Sequence, residues 1–282
     1  MSITISHGDK GGVGKSLLTC ALVDHKANQK GFNPKKLIIL DADPRNADVF
    51  RMFDGFNDYG HAERISLASK EDWMKFIDRI QDEQDKGYDY ILSLPAGIGS
   101  ILSKEGAKFG DLVGQLGHEI TMFWTIDRMP DSINLLKRAM FDLGTKVKQT
   151  IVVKNQFFGD SESFTRWDNS YLRKLFLLNG GIEAELPALH EWVIDQVIGS
   201  QLDEDDIKAT LLKLGQITDD EAKPSSAHRT VPFNELLSRK DLRVSLRAEM
   251  ELWLRQIDTF CKEIDQKISE KNPVLKVQKG KE

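Results

Sequence analysis

Residues 5–19 read ISHGDKGGVGKSLLT, and within them Gly11, Gly12 and Gly14 separate an apolar run from an apolar helical pattern. A glycine-rich turn between a strand and a helix lets successive backbone N–H groups converge on an anion, where the helix N-terminus adds positive potential. Ile3 and Ile5 supply the strand before the turn, and Leu17, Leu18, Ala21, Leu22 and Val23 supply the helix after it. In that setting Lys15 is placed to reach β- and γ-phosphates and the Ser16 hydroxyl to ligate Mg²⁺, while Val13 and Leu17 offer backbone N–H groups. Five positions before Gly14, where the usual phosphate-loop pattern has glycine, stands Asp9, and an extra lysine, Lys10, follows it.

A phosphate loop of this kind requires a parallel sheet around it, and the rest of the chain supplies one. Short apolar runs alternate with longer stretches of helical period, the pattern of strands joined by crossover helices. The runs predict strands at Ser2–Ser6, Lys36–Asp41, Tyr88–Leu94, Glu119–Ile126, Gln149–Lys154 and Gly181–Leu186. Several are nearly all apolar, as strands covered on both faces should be. The intervening periodicity predicts helices at Lys15–Gln29, Lys70–Asp85, Ile101–Leu116, Pro130–Leu143 and Asn169–Leu178. The expectation is an α/β fold with a doubly wound, mostly parallel sheet and a C-terminal helical extension.

Past residue 200 the predicted strands stop and the composition turns polar. The segments DEDD at 203–206 and TDDEAKPSSAHRT at 218–230 read as solvated caps and a loop. From Asn234 to Ser269 a helical pattern runs with a break near Lys240, and Met250, Trp253, Ile257, Phe260, Ile264 and Ile268 form one apolar stripe. Packing of that stripe on the α/β core is the first expectation; a membrane-surface or dimer helix is the alternative. The last residues, KNPVLKVQKGKE, carry four lysines and read as a frayed tail. The domains expected are therefore 1–200, a phosphate-loop domain; 201–270, a helical extension packed on it; and 271–282, a lysine-rich tail.

Composition narrows the function classes. With 282 residues, 40% hydrophobic and 29% charged, the chain can bury a sizeable core. No run of about 18 apolar residues occurs and the first ten residues lack a secretory pattern, which predicts a soluble, cytoplasmic protein. Cys20 and Cys261 are far apart, and the six histidines form no H-x-x-x-H or similar pair, so neither a disulfide framework nor a zinc site is expected. A net charge of −5 argues against a surface coated with nucleic acid, though not against a local basic patch.

Downstream carboxylates complete the motif. The run KLIILDADPRNADVF ends an apolar strand on Asp41 and Asp43, and alternation along extended chain points both toward the mouth of the sheet. A plain alternative is that such an aspartate caps the next helix. Together, K-G-G-V-G-K-S at residues 10–16 and D-A-D-P at 41–44 resemble the deviant Walker A loop and D-x-D-P motif of the ParA/MinD family of P-loop ATPases, of the SIMIBI class. The resemblance implies that Lys10 is the signature lysine that reaches the phosphates of a facing subunit, that Asp41 holds the Mg²⁺ shell through water, and that Asp43 orients the attacking water. A cation brought in by a partner would neutralise charge at the transferring phosphoryl group and link nucleotide state to dimerisation.

Two further stretches carry the resemblance less fully. YDYILSLPAG is similar to the family's Walker B strand and glycine turn, with Pro95 and Gly97 in place, but Ser93 stands where the family has aspartate, which implies slow hydrolysis. TIVVKNQFFGD ends a strand on Asn155, which resembles the family's adenine-reading asparagine, and LPAL at 186–189 falls where a proline loop lies beside the base. LGHEITMFWTIDR, VVKNQFFG and ELPAL also resemble the TraL and StbB types of plasmid conjugation and stability proteins.

The resemblance implies a Mg²⁺–ATP-dependent switch, homodimeric when ATP-bound, with slow hydrolysis and a setting in plasmid partition, stability or transfer. Its partners would be an activating protein or nonspecific DNA, met through lysines such as Lys262, Lys267, Lys271, Lys276 and Lys279; the apolar content of the tail is thin for a membrane anchor. Two alternatives stay open: a small-molecule ligase or kinase similar to dethiobiotin synthetase, and a nucleotide-binding module with little hydrolysis.

Overall fold

The computed structural model describes residues 1–143, 147–194, 211–216, 218, 230–240 and 242–271. The DEDD segment, nearly all of 218–230 and the tail from residue 272 lie outside them. The chain divides into two compact units, Met1–Ala188 with Trp253–Glu282, and Leu189–Leu252.

The larger unit is built on seven strands: β1 (Ser2–His7), β2 (Leu37–Asp41), β3 (His61–Arg64), β4 (Asp89–Ser93), β5 (Glu119–Ile126), β6 (Gln149–Asn155) and β7 (Ile182–Leu186). They lie in the order β3-β2-β4-β1-β5-β6-β7, and every pairing is parallel. The connecting helices are α1 (Lys15–Ala27), α2 (Asp48–Phe53), α3 (Lys70–Asp82), α4 (Gly99–Gln115), α5 (Pro130–Leu143), α6 (Thr165–Asp168) and α7 (Tyr171–Leu178). Helices α3, α4 and α5 pack side by side, as do α1 and α2. Alternation along the strands sends Ile3, Ile5, Leu92, Met122 and Trp124 into one core with Trp73 and Phe76 of α3 and Phe109 of α4.

The chain runs from β1 to β2 and the edge strand β3, returns with β4 between β2 and β1, and then adds β5, β6 and β7 on the other side of β1, so the strand order reverses beside β1. Such a point opens a crevice beyond the strand ends, and the glycine-rich loop that comes after β1 lies there. This topology, with that loop leading into α1, makes the unit a doubly wound P-loop α/β fold. The sheet is fully parallel among the described residues, rather than mostly so.

Strand and helix positions match the sequence pattern closely, with β5 and α5 at the expected bounds. Among the strands and α-helices of this unit, three were not expected: β3, α2 and the four-residue α6. Strand β3, with sequence HAER, is an edge strand whose residues are half-buried or exposed, so it carries no apolar run. Helix α2 spans only six residues, too few to show a helical period. The helix expected from Asn169 instead begins at Tyr171, because Ser170 caps it by accepting from the Arg173 N–H at 3.0 Å.

The smaller unit holds α8 (Glu191–Ile194), α9 (Phe233–Ser238) and the first residues of α10 (Val244–Lys271), around buried Leu189, Val193, Phe233, Leu236 and Met250. The break expected near Lys240 lies between α9 and α10. There the Arg247 guanidinium donates to the carbonyls of Leu237 and Arg239, groups that a helix end would leave unpaired. From Trp253 onward, α10 belongs to the larger unit. Trp253, Ile257, Phe260 and Ile264 of the expected stripe are buried, the Trp253 indole donates to the Pro187 carbonyl at 2.9 Å, and Lys267 donates to the Glu183 carbonyl. No helix among the described residues is long and apolar enough to cross a membrane.

Candidate functional site

The loop between β1 and α1 has the shape its glycines were expected to permit. Gly14 caps α1 in the left-handed region at φ 96°, and a Cβ there would come 2.4 Å from Nδ2 of Asn155. Glycine is required at that position on both counts. Lys15 comes next as the first residue of α1, 8% exposed, with Nζ donating to the Lys10 carbonyl at 2.8 Å. Its ammonium therefore lies across the loop. Burial draws Lys15 below the ordinary lysine value, against the attraction of Asp43 and Asp9. The half-buried Ser16 stands next on the helix, and backbone N–H groups of Gly11, Gly12, Val13 and Leu17 belong to the same turn.

Lys10 is held within its own chain. Its ammonium meets Oδ2 of Asp127, the residue just after β5, at 2.5 Å. The other oxygen of Asp127 accepts from the Met129 N–H at 2.9 Å and the Ser132 hydroxyl at 2.5 Å. Burial raises the Asp127 pKa, but the hydrogen bonds from Lys10, Ser132 and Met129 outweigh it and hold the carboxyl below the usual range. Asp127 was not among the residues singled out in the sequence. It stands directly after the strand expected at Glu119–Ile126, a position at the ligand-facing end of a parallel sheet, which was the available signal.

Asp9, the departure from the usual pattern, has a definite role. Its Oδ1 accepts from the Gly99 N–H at 3.1 Å and its backbone carbonyl from the Gly97 N–H at 3.1 Å. Gly99 opens α4, whose own N-cap residue, Ile98, provides no side-chain hydrogen bond. The loop carboxylate thus caps a helix ninety residues away and ties the phosphate loop to the turn after β4. A Cβ on Gly99 would come 2.3 Å from Oδ2 of Asp9, so the approach needs glycine.

The D-A-D-P motif divides its two carboxylates. Asp41 is 2% exposed; Oδ1 accepts from the Asp43 N–H at 3.0 Å, and Oδ2 from the Val49 and Phe50 N–H groups at 3.0 and 3.1 Å. The helix-capping alternative is realised here, at the start of α2. Burial raises the Asp41 pKa, with the three N–H bonds opposing. Asp43 is half-buried, accepts from the Arg45 and Asn46 N–H groups, and acts electrostatically on Lys15. Ser93 ends β4 in register with Ser6 of β1 and Asp41 of β2, at the centre of the crevice and 3% exposed.

Asn155 is brought to the loop, but its amide is already engaged. Nδ2 donates to the Val13 carbonyl at 2.9 Å and Oδ1 accepts from the Phe157 N–H at 3.0 Å. These bonds use one of the two N–H groups of the amide and one of the two lone pairs on its oxygen, which leaves a donor and an acceptor on the same group. Beneath the loop, His7 is fully buried, edge-on to Trp124 at 4.7 Å, and neither ring nitrogen has a partner among the described residues. Burial, and then the Lys15 charge, push its pKa down to about 3, so the ring is neutral at pH 7. Among the described residues no group of three or more His, Cys, Asp or Glu forms a metal cage. Mg²⁺ in phosphate-loop sites relies instead on one or two protein oxygens, substrate phosphates and water, and the Ser16 hydroxyl, with Asp41 and Asp43 nearby in the motif, fits that modest donor set.

No family model matches the chain. Protein MobD of Acidithiobacillus ferrooxidans is 26% identical over 201 residues, covering 71% of this chain and 84% of that protein. Among solved structures, the signal recognition particle receptor FtsY from Elizabethkingia anophelis aligns with a TM-score of 0.43 and 14% identity, over 66% of this chain and 58% of that one. The Signal Recognition Particle 54 kDa protein of Aeropyrum pernix K1, solved with GDP, aligns with a TM-score of 0.41 and 14% identity, over 95% of this chain and 71% of that one. The chain thus spans less than two thirds of the length of the first of these structures.

Proposed function

We propose that this chain is a Mg²⁺- and nucleotide-dependent switch of the ParA/MinD type, which dimerises in its ATP-bound form, hydrolyses slowly and serves a plasmid or mobile element. The observation that carries this reading is the pair of lysines on one loop. Lys15 lies across the loop, where it would meet phosphates, while Lys10 is directed to Asp127 at the rim. The loop needs one lysine to bind phosphates; a second, held in reserve by a carboxylate, suits a cation that is delivered to a facing subunit. In this reading Gly11, Gly12, Val13, Gly14, Ser16 and Leu17 cradle the phosphates, Ser16 and the Asp41 region serve Mg²⁺, and Asp43 orients water. The likeness to MobD supports a mobilisation-related setting. An activating protein and DNA are the partners this reading calls for, and the cytoplasm is its compartment.

Light scattering on the purified chain with Mg²⁺ and ATP, ADP or no nucleotide tests it. A dimer is expected with ATP alone, and Lys10→Ala should abolish that dimer while leaving nucleotide affinity within about threefold, since the lysine acts across the interface. A chain that stays monomeric with ATP, or dimerises equally without it, would overturn the switch.

A further inference from the structure

Asp9 puts a negative charge on the loop that would hold phosphates. The residue is half-buried, its Oδ1 accepts from the Gly99 N–H at 3.1 Å, and its backbone carbonyl accepts from the Gly97 N–H at 3.1 Å. The carboxylate cannot turn away without cost. Doing so would leave the first residue of α4 uncapped, because Ile98 contributes no side-chain hydrogen bond there. A Cβ on Gly99 would come 2.3 Å from Oδ2, so the group is also seated closely against that turn. Capping by itself does not call for a charge, since Asn, Asp and Ser cap helices about equally well.

Neither lysine of the loop is closed against this carboxylate as an ion pair. Lys10 meets Asp127 at 2.5 Å, and Lys15 donates to the Lys10 carbonyl at 2.8 Å. Asp9 acts on Lys15 through its field instead: burial draws the ammonium below the ordinary lysine value, and Asp43 and then Asp9 pull the other way. Lys15 is the cation that β- and γ-phosphates would meet. An anion fixed within reach of that ammonium repels any phosphate that approaches it, and in a partly buried site water screens the repulsion less than at an open surface. A triphosphate brings more negative charge to the loop than a diphosphate does. The penalty therefore falls harder on ATP than on ADP.

We propose that Asp9 sets the nucleotide preference of the phosphate site, as a fixed anion that opposes the terminal phosphate of a nucleoside triphosphate and so narrows the advantage of ATP over ADP. The proposal rests on the nucleotide reading above and adds a control to it. Weaker binding of the triphosphate is mostly faster release. A switch that lets its triphosphate go depends less on hydrolysis to reset, which suits the neutral Ser93 in register with Asp41.

Calorimetric titration of the full chain with Mg²⁺ and, separately, ATP and ADP tests it, comparing wild type with Asp9→Asn, which keeps an oxygen to cap α4 and loses the charge. The ratio of ATP to ADP affinity is expected to rise about tenfold, the scale of removing one like charge from a partly buried site. Asp9→Ser, also neutral and also a good cap, should move the ratio the same way, so the comparison does not hang on one variant folding. An unchanged ratio in a folded variant would leave Asp9 a helix cap alone, and a falling ratio would mean that the carboxylate assists the triphosphate; either result overturns the proposal. Failure of wild type and both variants to bind either nucleotide would remove the nucleotide reading itself and this proposal with it.

Discussion

His7, the last residue of the strand that leads into the glycine-rich loop, is buried with neither ring nitrogen hydrogen-bonded among the described residues. A fully buried imidazole with both nitrogens unpaired can be kept only as the neutral ring, and its pKa near 3 reflects that. The unfolded chain takes up a proton near the ordinary histidine value of about 6.5, while the folded one does not until far lower. The stability this ring allows is therefore complete above about pH 6.5 and is lost as pH falls from there toward the folded value, by up to about 1.4 kcal/mol per pH unit. Urea titrations of wild type and His7→Leu between pH 7 and pH 4 should show wild type losing ground to the variant throughout that range. Parallel pH profiles would refute it. Asp9 is the other lesson at this scale. Its carboxylate looks like damage to a phosphate loop when only the adjacent residues are considered, because the helix it caps begins ninety residues later. Local sequence cannot show a cap supplied from that distance.

Elements divide into those announced by their own residues and those made by their neighbours. Strands β2, β4, β5 and β6 are announced by near-continuous apolar runs, as strands covered on both faces should be, and β1 by Ile3 and Ile5 ahead of the glycine-rich loop. So is α3, whose Ser69 and Asp72 form a capping box at its start. Strand β3 exists because β2 offers it an edge, with Ile38 to Asp41 pairing His61 to Arg64, and nothing in HAER itself demands a strand. Helix α2 is of the same kind: Asp41 receives its first N–H groups, and the sequence shows the aspartate without showing what it caps. Truncation at Asp41 would strand these buried donors. Asp41→Ala is expected to destabilise the nucleotide-free chain by about 1–3 kcal/mol in urea denaturation, the cost of unpaired buried polar groups. A variant as stable as wild type in the absence of Mg²⁺ and nucleotide would show that Asp41 serves the metal alone. Of the site, the loop and its lysines were legible because their spacing is local; the engagement of Asn155 and the Lys10–Asp127 pair were not, because both are long-range contacts.

For the molecule as a whole, the crevice at the centre of the sheet has a glycine-rich loop leading into a helix and a neutral residue, Ser93, at its middle. Ser93 is in register with both Asp41 and Ser6, so a carboxylate in its place would face the same crevice. A second acidic group there would help order the water shell of Mg²⁺ and the attacking water. Ser93→Asp is accordingly expected to raise the single-turnover rate of ATP hydrolysis by about tenfold or more, the usual scale of a well-placed catalytic group, with ATP affinity little changed. A rate equal to wild type in a folded variant would show that Ser93 does not limit turnover. The same crevice also bears on how the chain is made. Its glycine-rich loop leaves the ribosome before the groups that shape it, which lie 90, 117 and 142 residues downstream of their partners, at Gly99, Asp127 and Asn155. Synthesis proceeds from the N-terminus and contacts of long sequence separation form late. A nascent chain ended before Gly99 carries the glycine-rich loop without any of these three downstream groups, so the motif is made before the contacts that hold it in shape can form.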